Sequence, residues 1–408
     1  MQDSPYACLR LAAALLLMTI GGAGMYAMAV ALAPIQAEFG IDRASASLPY
    51  TLTMVGFGIG GVLMGRLSDR FGVIVPALIG GTCLGIGLIV AGMAPNLFTF
   101  ALAHGLLIGF LGCSGTFAPL VADITMWFTR HRGIAVAMVS SGNYLAGAVW
   151  PPVLQHFFDT VGWRTTYIGV GIFALTAVLP LALFLRRRAP LPATTGGSHA
   201  VRDMHARPLG LTPNHLTVLL SIAGVACCVA MAMPQVHIVA YCGDLGYGLQ
   251  RGSEMLAIML GCGIVSRLAS GWISDRIGGI RTLLLGSLLQ GVALLLFLPF
   301  DGLVSLYVVS ALFGLFQGGI VPAYTIIIRE YFAPGEAGLR VGIVLMSTLF
   351  GMALGGWISG VVFDLTGSYR AAFLNSIAFN LLNLSIVFWL LRRASGRQQL
   401  FPRPQPLS

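Results

Sequence analysis

The octet Gly65-Arg66-Leu67-Ser68-Asp69-Arg70-Phe71-Gly72 returns further along the chain as Gly271-Trp272-Ile273-Ser274-Asp275-Arg276-Ile277-Gly278. Trp163-Arg164-Thr165-Thr166-Tyr167 returns as Tyr369-Arg370-Ala371-Ala372-Phe373, at the same displacement. Two separated patterns with one common offset mean two similar halves in the same orientation. The chain is 57% hydrophobic and only 9% charged, against about 25% charged in soluble proteins. A duplicated chain this apolar is expected to be an all-α membrane protein, with two pseudo-symmetric six-helix bundles around a central site.

The hydropathy pattern fills in that expectation. A helix needs about 20 apolar residues to cross a bilayer. Stretches free of acids and arginine run 11–37, 44–65, 71–122, 133–158, 165–185, 214–243, 282–300, 302–328, 341–363 and 371–391. The run 71–122 is too long for one crossing and is expected to turn at Pro95-Asn96. Residues 252–272 add a further span, interrupted by Arg267, which brings the total to twelve. The expected division is a first bundle at 1–186, a linker at 187–213 rich in Arg, Pro and Gly, a second bundle at 214–392, and a tail at 393–408.

Charge sets the orientation. The net charge is +9, but the arginines sit in short clusters between apolar runs, as topogenic signals do, so nucleic acid is not expected as a partner. With the N-terminus inside, the outer loops receive only Arg43, Arg164, Arg251 and Arg370, and both termini are expected to be cytoplasmic. There is no lysine in the chain. That excludes a Walker A phosphate loop and Schiff-base chemistry, so uphill transport would draw on an ion or solute gradient. The seven cysteines show no metal spacing. No metal, no cofactor and no catalytic residue is expected, and the chain is not expected to be an enzyme. Gly56-Phe57-Gly58-Ile59-Gly60-Gly61 matches a nucleotide-binding pattern but lies mid-span, where its glycines are expected to serve helix packing.

Arg267 is the charged residue deepest within an expected span. A charge there costs a few kcal/mol on insertion scales unless compensated. No acid lies mid-span to neutralise it, since Asp123, Glu254 and Glu330 all fall near span ends. An unpaired guanidinium facing a cavity suits a carboxylate, which it grips through paired hydrogen bonds. Further polar candidates for the substrate site are Tyr26, Asn143, Gln235, His237, Gln317 and Tyr324. His237 is a candidate proton carrier, because an ordinary imidazole titrates near neutrality.

The repeated Gly-x-x-Ser-Asp-Arg-x-Gly resembles the signature of the major facilitator superfamily, and the resemblance spans essentially the whole chain. In that reading Gly65, Asp69, Arg70, Arg132, Gly271, Asp275 and Arg276 form a cytoplasmic gate. Trp127-Phe128-Thr129-Arg130-His131-Arg132-Gly133-Ile134-Ala135, with Ser141-Gly142-Asn143, is similar to the opening of the fifth helix in monocarboxylate transporters. Arg267, four positions before Gly271, is similar to that family's carboxylate-binding arginine. His131, Ala137 and Asn143 depart from the family pattern, and Gly21-Gly22-Ala23-Gly24-Met25-Tyr26 lacks the acid of its first-helix motif. The resemblance implies a secondary transporter of a small carboxylate, coupled to protons by symport, acting as a monomer in the lipid bilayer of a bacterial cytoplasmic (inner) membrane. A second reading keeps the fold and changes the cargo to drug-like compounds for efflux, or to anion exchange.

Overall fold

The computed structural model describes residues 4–128, 132–187, 208–332 and 334–400. Its helical spans follow the expected order. The first half holds α1 (Pro5–Phe39), α2 (Arg43–Phe71), α3 (Ile74–Gly92), α4 (Leu97–Trp127), α5 (132–161) and α6 (Trp163–Leu183). The second holds α7 (Pro213–Asp244), α8 (Leu249–Ile277), α9 (Gly279–Leu296), α10 (Leu303–Tyr331), α11 (Pro334–Thr366) and α12 (Tyr369–Leu400). Eleven are long and apolar enough to cross a membrane; α5 is split at Ser141 into 132–140 and Gly142–Val161. The expected turn at Pro95-Asn96 is present, with Asn96 capping α4 through Thr99 N. Residues 188–207 of the expected linker and 401–408 of the expected tail lie outside the described residues. α12 runs to Leu400, past the expected boundary at 392. Arg392, Arg393, Ala394, Arg397, Gln398 and Gln399 all favour helix, and the next proline is Pro402.

The repeated motif has a direct structural meaning at its last residue. Gly72 and Gly278 end α2 and α8 at φ of 85° and 84°. A side chain at that φ is strained, so both repeats keep glycine. The N–H of each closes back on Ser68 O and Ser274 O.

Four spans are interrupted within their length: α1 at Gly22, α4 at Thr116–Phe117, α5 at Ser141 and α10 at Gly318–Gly319. Freed carbonyls inside a bilayer need partners from the protein. At the α1 break the Trp150 indole N–H donates to Thr19 O at 2.8 Å, and the Cys113 thiol to Gly21 O at 3.5 Å. Around these breaks small residues bring helices into backbone contact. A Cβ on Gly56 or Gly60 would strike the α4 backbone at Gly105 and Phe110, and one on Gly22 would strike Ala146. Gly351 and Gly355 lie on Val225 and Val229 of α7 in the same way. The glycine pattern of α2 is therefore a packing surface.

Arg267 is not the most fully buried charge. Arg10 is fully buried, and it grips Asp123 of α4 with Nε at 2.6 Å and Nη2 at 2.8 Å, its guanidinium 4.5 Å over Trp127. The bidentate pair ties α1 to α4. Removing one partner from such a pair strands the other charge and costs about 3–5 kcal/mol. Asp123→Asn is expected to lower the thermal midpoint of the purified protein by several degrees. Adding Arg10→Met should restore most of it, because the stranded charge is then gone. A melting curve for Asp123→Asn that matches the parent would contradict this.

The halves meet along α2–α11 and α5–α8, and only over part of their length. Gly360 abuts Ala44, Gly356 abuts Tyr50, Thr51 Oγ1 donates to Ala353 O at 3.1 Å, and Gly58 faces Met346 and Leu349. Further along, a Cβ on Gly61, Gly65, Gly271, Gly338 or Gly342 would meet nothing within 4 Å. The halves are thus joined at the Arg43 end and parted at the Asp69 end. Gly65 and Gly271 of the expected gate both face open space in this state.

Candidate functional site

Arg267 of α8 reaches across the interface between the halves. Its Nη1 donates to Ser140 O of α5 at 2.8 Å, and its Nε donates to Gly318 O at 3.4 Å. Both carbonyls lie at helix interruptions, where a carbonyl is released from the i→i+4 ladder. The guanidinium lies 4.3 Å over the Tyr144 ring, a cation–π contact that gains strength away from water. Among the described residues no carboxylate pairs with it. Two carbonyl dipoles and a ring face solvate the charge without neutralising it.

Other expected candidates gather near this group. Gln317, beside Gly318, is fully buried; its Oε1 accepts from Gln235 Nε2 at 3.1 Å, and its own Nε2 has no hydrogen-bond partner. A buried unsatisfied donor costs about 1–3 kcal/mol, so it marks a place where a ligand acceptor would be welcome. The ring of Tyr26 packs on Gly147 of α5, one turn beyond Asn143 and Tyr144. Neither the Tyr26 hydroxyl nor the Asn143 amide forms a hydrogen bond among the described residues. Arg267, Tyr26, Asn143, Gln235 and Gln317 therefore surround one region where both halves contribute.

Two candidates lie elsewhere. Tyr324 is fully buried inside the second half, with its hydroxyl donating to Asn383 Oδ1 at 3.1 Å. His237 is also fully buried; its Nε2 lies 2.8 Å from Gly356 O. A carbonyl only accepts, so Nε2 carries the proton, and Nδ1 is left without a partner. The imidazole faces Gly356 and Tyr369, toward the Arg43 end rather than toward Arg267.

Sequence reading missed the device that closes the Arg43 end. Asp42 caps α2 from within its own half, and the hydrogen bonds from Ser45 hold its carboxyl below the usual range. Asp364, from the other half, accepts from Arg43 N at 2.9 Å and Ala44 N at 2.6 Å. It is a helix cap supplied in trans, at the positive end of the α2 dipole. The Arg43 side chain, 5% exposed as a residue, donates to Tyr369 Oη at 2.8 Å and to Asp244 Oδ2 at 2.9 Å, both of the second half. The signal available in sequence was two acids and an arginine at span ends on one side of the membrane.

At the other end Asp69, Arg70, Asp275 and Arg276 are exposed, and none forms an ion pair among the described residues. Arg70 rests over Phe71 and Arg276 over Trp272, each on its own helix. Thr129, Arg130 and His131, and the side chain of Arg132, lie outside what is described.

Two duplicated bundles with interrupted helices around a shared polar centre are the architecture of a membrane transporter. The chain belongs to the major facilitator superfamily, whose family model matches residues 13–305 and 255–407. Monocarboxylate transporter 13 of Rattus norvegicus is 28% identical over 89% of this chain and 82% of its own length. An uncharacterized MFS-type transporter of Bacillus subtilis, YcxA, is 26% identical over 82% of this chain and 83% of its own. A bacterial homolog of the human lysosomal transporter Spinster shares the fold with a TM-score of 0.74 at 16% identity, covering 96% of this chain and 98% of that one. The nucleoside transporter NupG gives a TM-score of 0.72 at 15% identity, with 95% and 99% covered. These relatives are transporters, not enzymes.

Proposed function

We propose that this transporter carries a small organic monocarboxylate through a bacterial cytoplasmic membrane, both termini on the cytoplasmic side. The observation that carries the reading is Arg267, a guanidinium at the junction of the halves with no carboxylate beside it among the described residues. The monocarboxylate transporters among its relatives support the same cargo class. The Asp69 end is then cytoplasmic, and this state is open toward the cytoplasm. Gly65, Asp69, Arg70, Arg132, Gly271, Asp275 and Arg276 close that end in the opposite state, when the latch around Arg43 is released.

Coupling follows from what surrounds Arg267. Its neighbours Tyr26, Tyr144 and Gln317 are neutral, and His237 faces away. In symport the proton therefore travels on the acid itself or through His237; in exchange a second anion replaces it. The absence of a described acid beside Arg267 is what keeps exchange as a second reading. Labelled lactate or pyruvate uptake into proteoliposomes separates them. Symport predicts concentrative uptake driven by an inward proton gradient with empty lumens. Exchange predicts uptake only after preloading with anion. No uptake under either condition, across short monocarboxylates, would overturn the cargo assignment.

A further inference from the structure

A third pattern repeats at the displacement of the first two. Glu38-Phe39-Gly40 returns as Asp244-Leu245-Gly246, and Gly40 and Gly246 both turn the chain at positive φ, 60° and 81°. Glu38 lies at the end of α1 as Asp244 does of α7. The same displacement relates Trp163 and Arg164, which open α6, to Tyr369 and Arg370, which open α12. Each half therefore carries an acid, an aromatic residue and an arginine at matching helix ends, all on the Arg43 side.

In the first half these three residues pair with one another. Arg164 Nη2 lies 2.7 Å from Glu38 Oε1, Arg164 Nε donates to the same oxygen at 2.9 Å, and the Trp163 indole N–H donates to Oε2 at 2.5 Å. In the second half the acid is held from outside. Asp244 and Tyr369 both bond Arg43 of the first half, at 2.9 Å and 2.8 Å. Arg43 has no counterpart, since Leu249 stands at its repeat position. Arg370, the counterpart of Arg164, is exposed and forms no ion pair among the described residues. Its charge reaches Tyr241, one turn before Asp244 on α7. Asp301 also reaches Tyr241, but the repeat offers no precedent for it, because Pro95 stands at its position.

We propose that Arg43 and Arg370 are alternative partners of Asp244: Arg43 holds it while the halves are joined at this end, and Arg370 takes it when they part. The second half then acquires the pairing that the first half already holds. Opening exchanges one ion pair for another instead of stranding a carboxylate, so the parted state is easier to reach. Arg370 is thus a positioning residue of the transport cycle, although it is bonded to no part of the closed latch. The proposal rests on the reading that this end opens in the opposite state, and it is independent of which acid is carried.

The test is hydrogen–deuterium exchange at the start of α2 in the purified full chain. The first N–H groups of a helix have no partner within it. Those of Arg43 and Ala44 are covered by Asp364 of the other half, so their exchange reports parting even when the parted state is scarce. Arg43→Ala is expected to speed exchange there. Arg370→Gln is expected to slow it about twofold to fivefold, the weight of a half-exposed ion pair, while Arg370→Lys stays near the parent. In an Asp244→Asn background Arg370→Gln should change nothing further. Parental exchange in Arg370→Gln, with Arg43→Ala faster, would overturn the partner exchange and leave the latch standing. No acceleration in Arg43→Ala would overturn the opening of this end and the proposal with it. Slowing that persists in the Asp244→Asn background, or that Asp301→Asn reproduces, would mean that Arg370 acts through another acid, and the proposal would fall.

Discussion

Arg267→Ala is expected to abolish carboxylate transport, with the apparent affinity for lactate or pyruvate falling about a hundredfold. Truncating one partner of a buried, hydrogen-bonded charge pair costs about 2–5 kcal/mol, and about 2.7 kcal/mol already corresponds to a hundredfold. Arg267→Lys should recover only part of this. The ammonium restores the charge, but it cannot bond Ser140 O and Gly318 O and still present a planar fork to a carboxylate. Since Arg267 also bridges the halves, equilibrium binding should be measured beside uptake. If both variants transported at parental rates, Arg267 would be excluded from the cargo site.

The second large effect concerns the latch at the Arg43 end. Asp364→Ala is expected to shift the resting population toward the state open at that end by at least about tenfold. The substitution removes two charge-assisted hydrogen bonds from the first N–H groups of α2, and a lost cap alone costs about 0.5–2 kcal/mol. A tenfold shift needs about 1.4 kcal/mol. Arg43→Ala should act in the same direction, because it frees Asp244 and Tyr369 together. Electron–electron double resonance between spin labels on the outer ends of α2 and α11 would show longer distances in both variants. Unchanged distance distributions would mean that these contacts follow closure rather than hold it. The two substitutions share a helix end, so their effects should not add.

Much of this architecture was legible before any coordinates. The duplicated octet gives the two halves, and its final glycines are the positive-φ stops of α2 and α8. Arg267 stood out because a charge inside an apolar run is expensive. What sequence did not disclose were pairings at long range. Arg10 and Asp123 are 113 positions apart, and each alone reads as an ordinary charge near a span end. Arg43, Asp244 and Asp364 read as loop residues for the same reason, although they converge across the interface. The breaks in α4 and α10 carry glycine-rich sequence that also reads as packing. Tyr144 looked like any aromatic residue in a span, because a cation over its ring leaves no mark in its own neighbourhood of sequence. His237 and Tyr324 turn toward Gly356 and Asn383 rather than toward Arg267 in this state, and a span with polar residues on several sides gives no unique inward direction to read from sequence.

On the carboxylate reading of Arg267, the carbonyl of Ser140 stands in for cargo. When no anion is present, Arg267 has a resident acceptor from the opposite half at 2.8 Å, so its guanidinium is not left bare in this state. A departing anion is replaced by a dipole already in place. On that reading the unladen protein can change orientation without waiting for a new passenger, once this backbone oxygen and the contacts around Arg43 both let go.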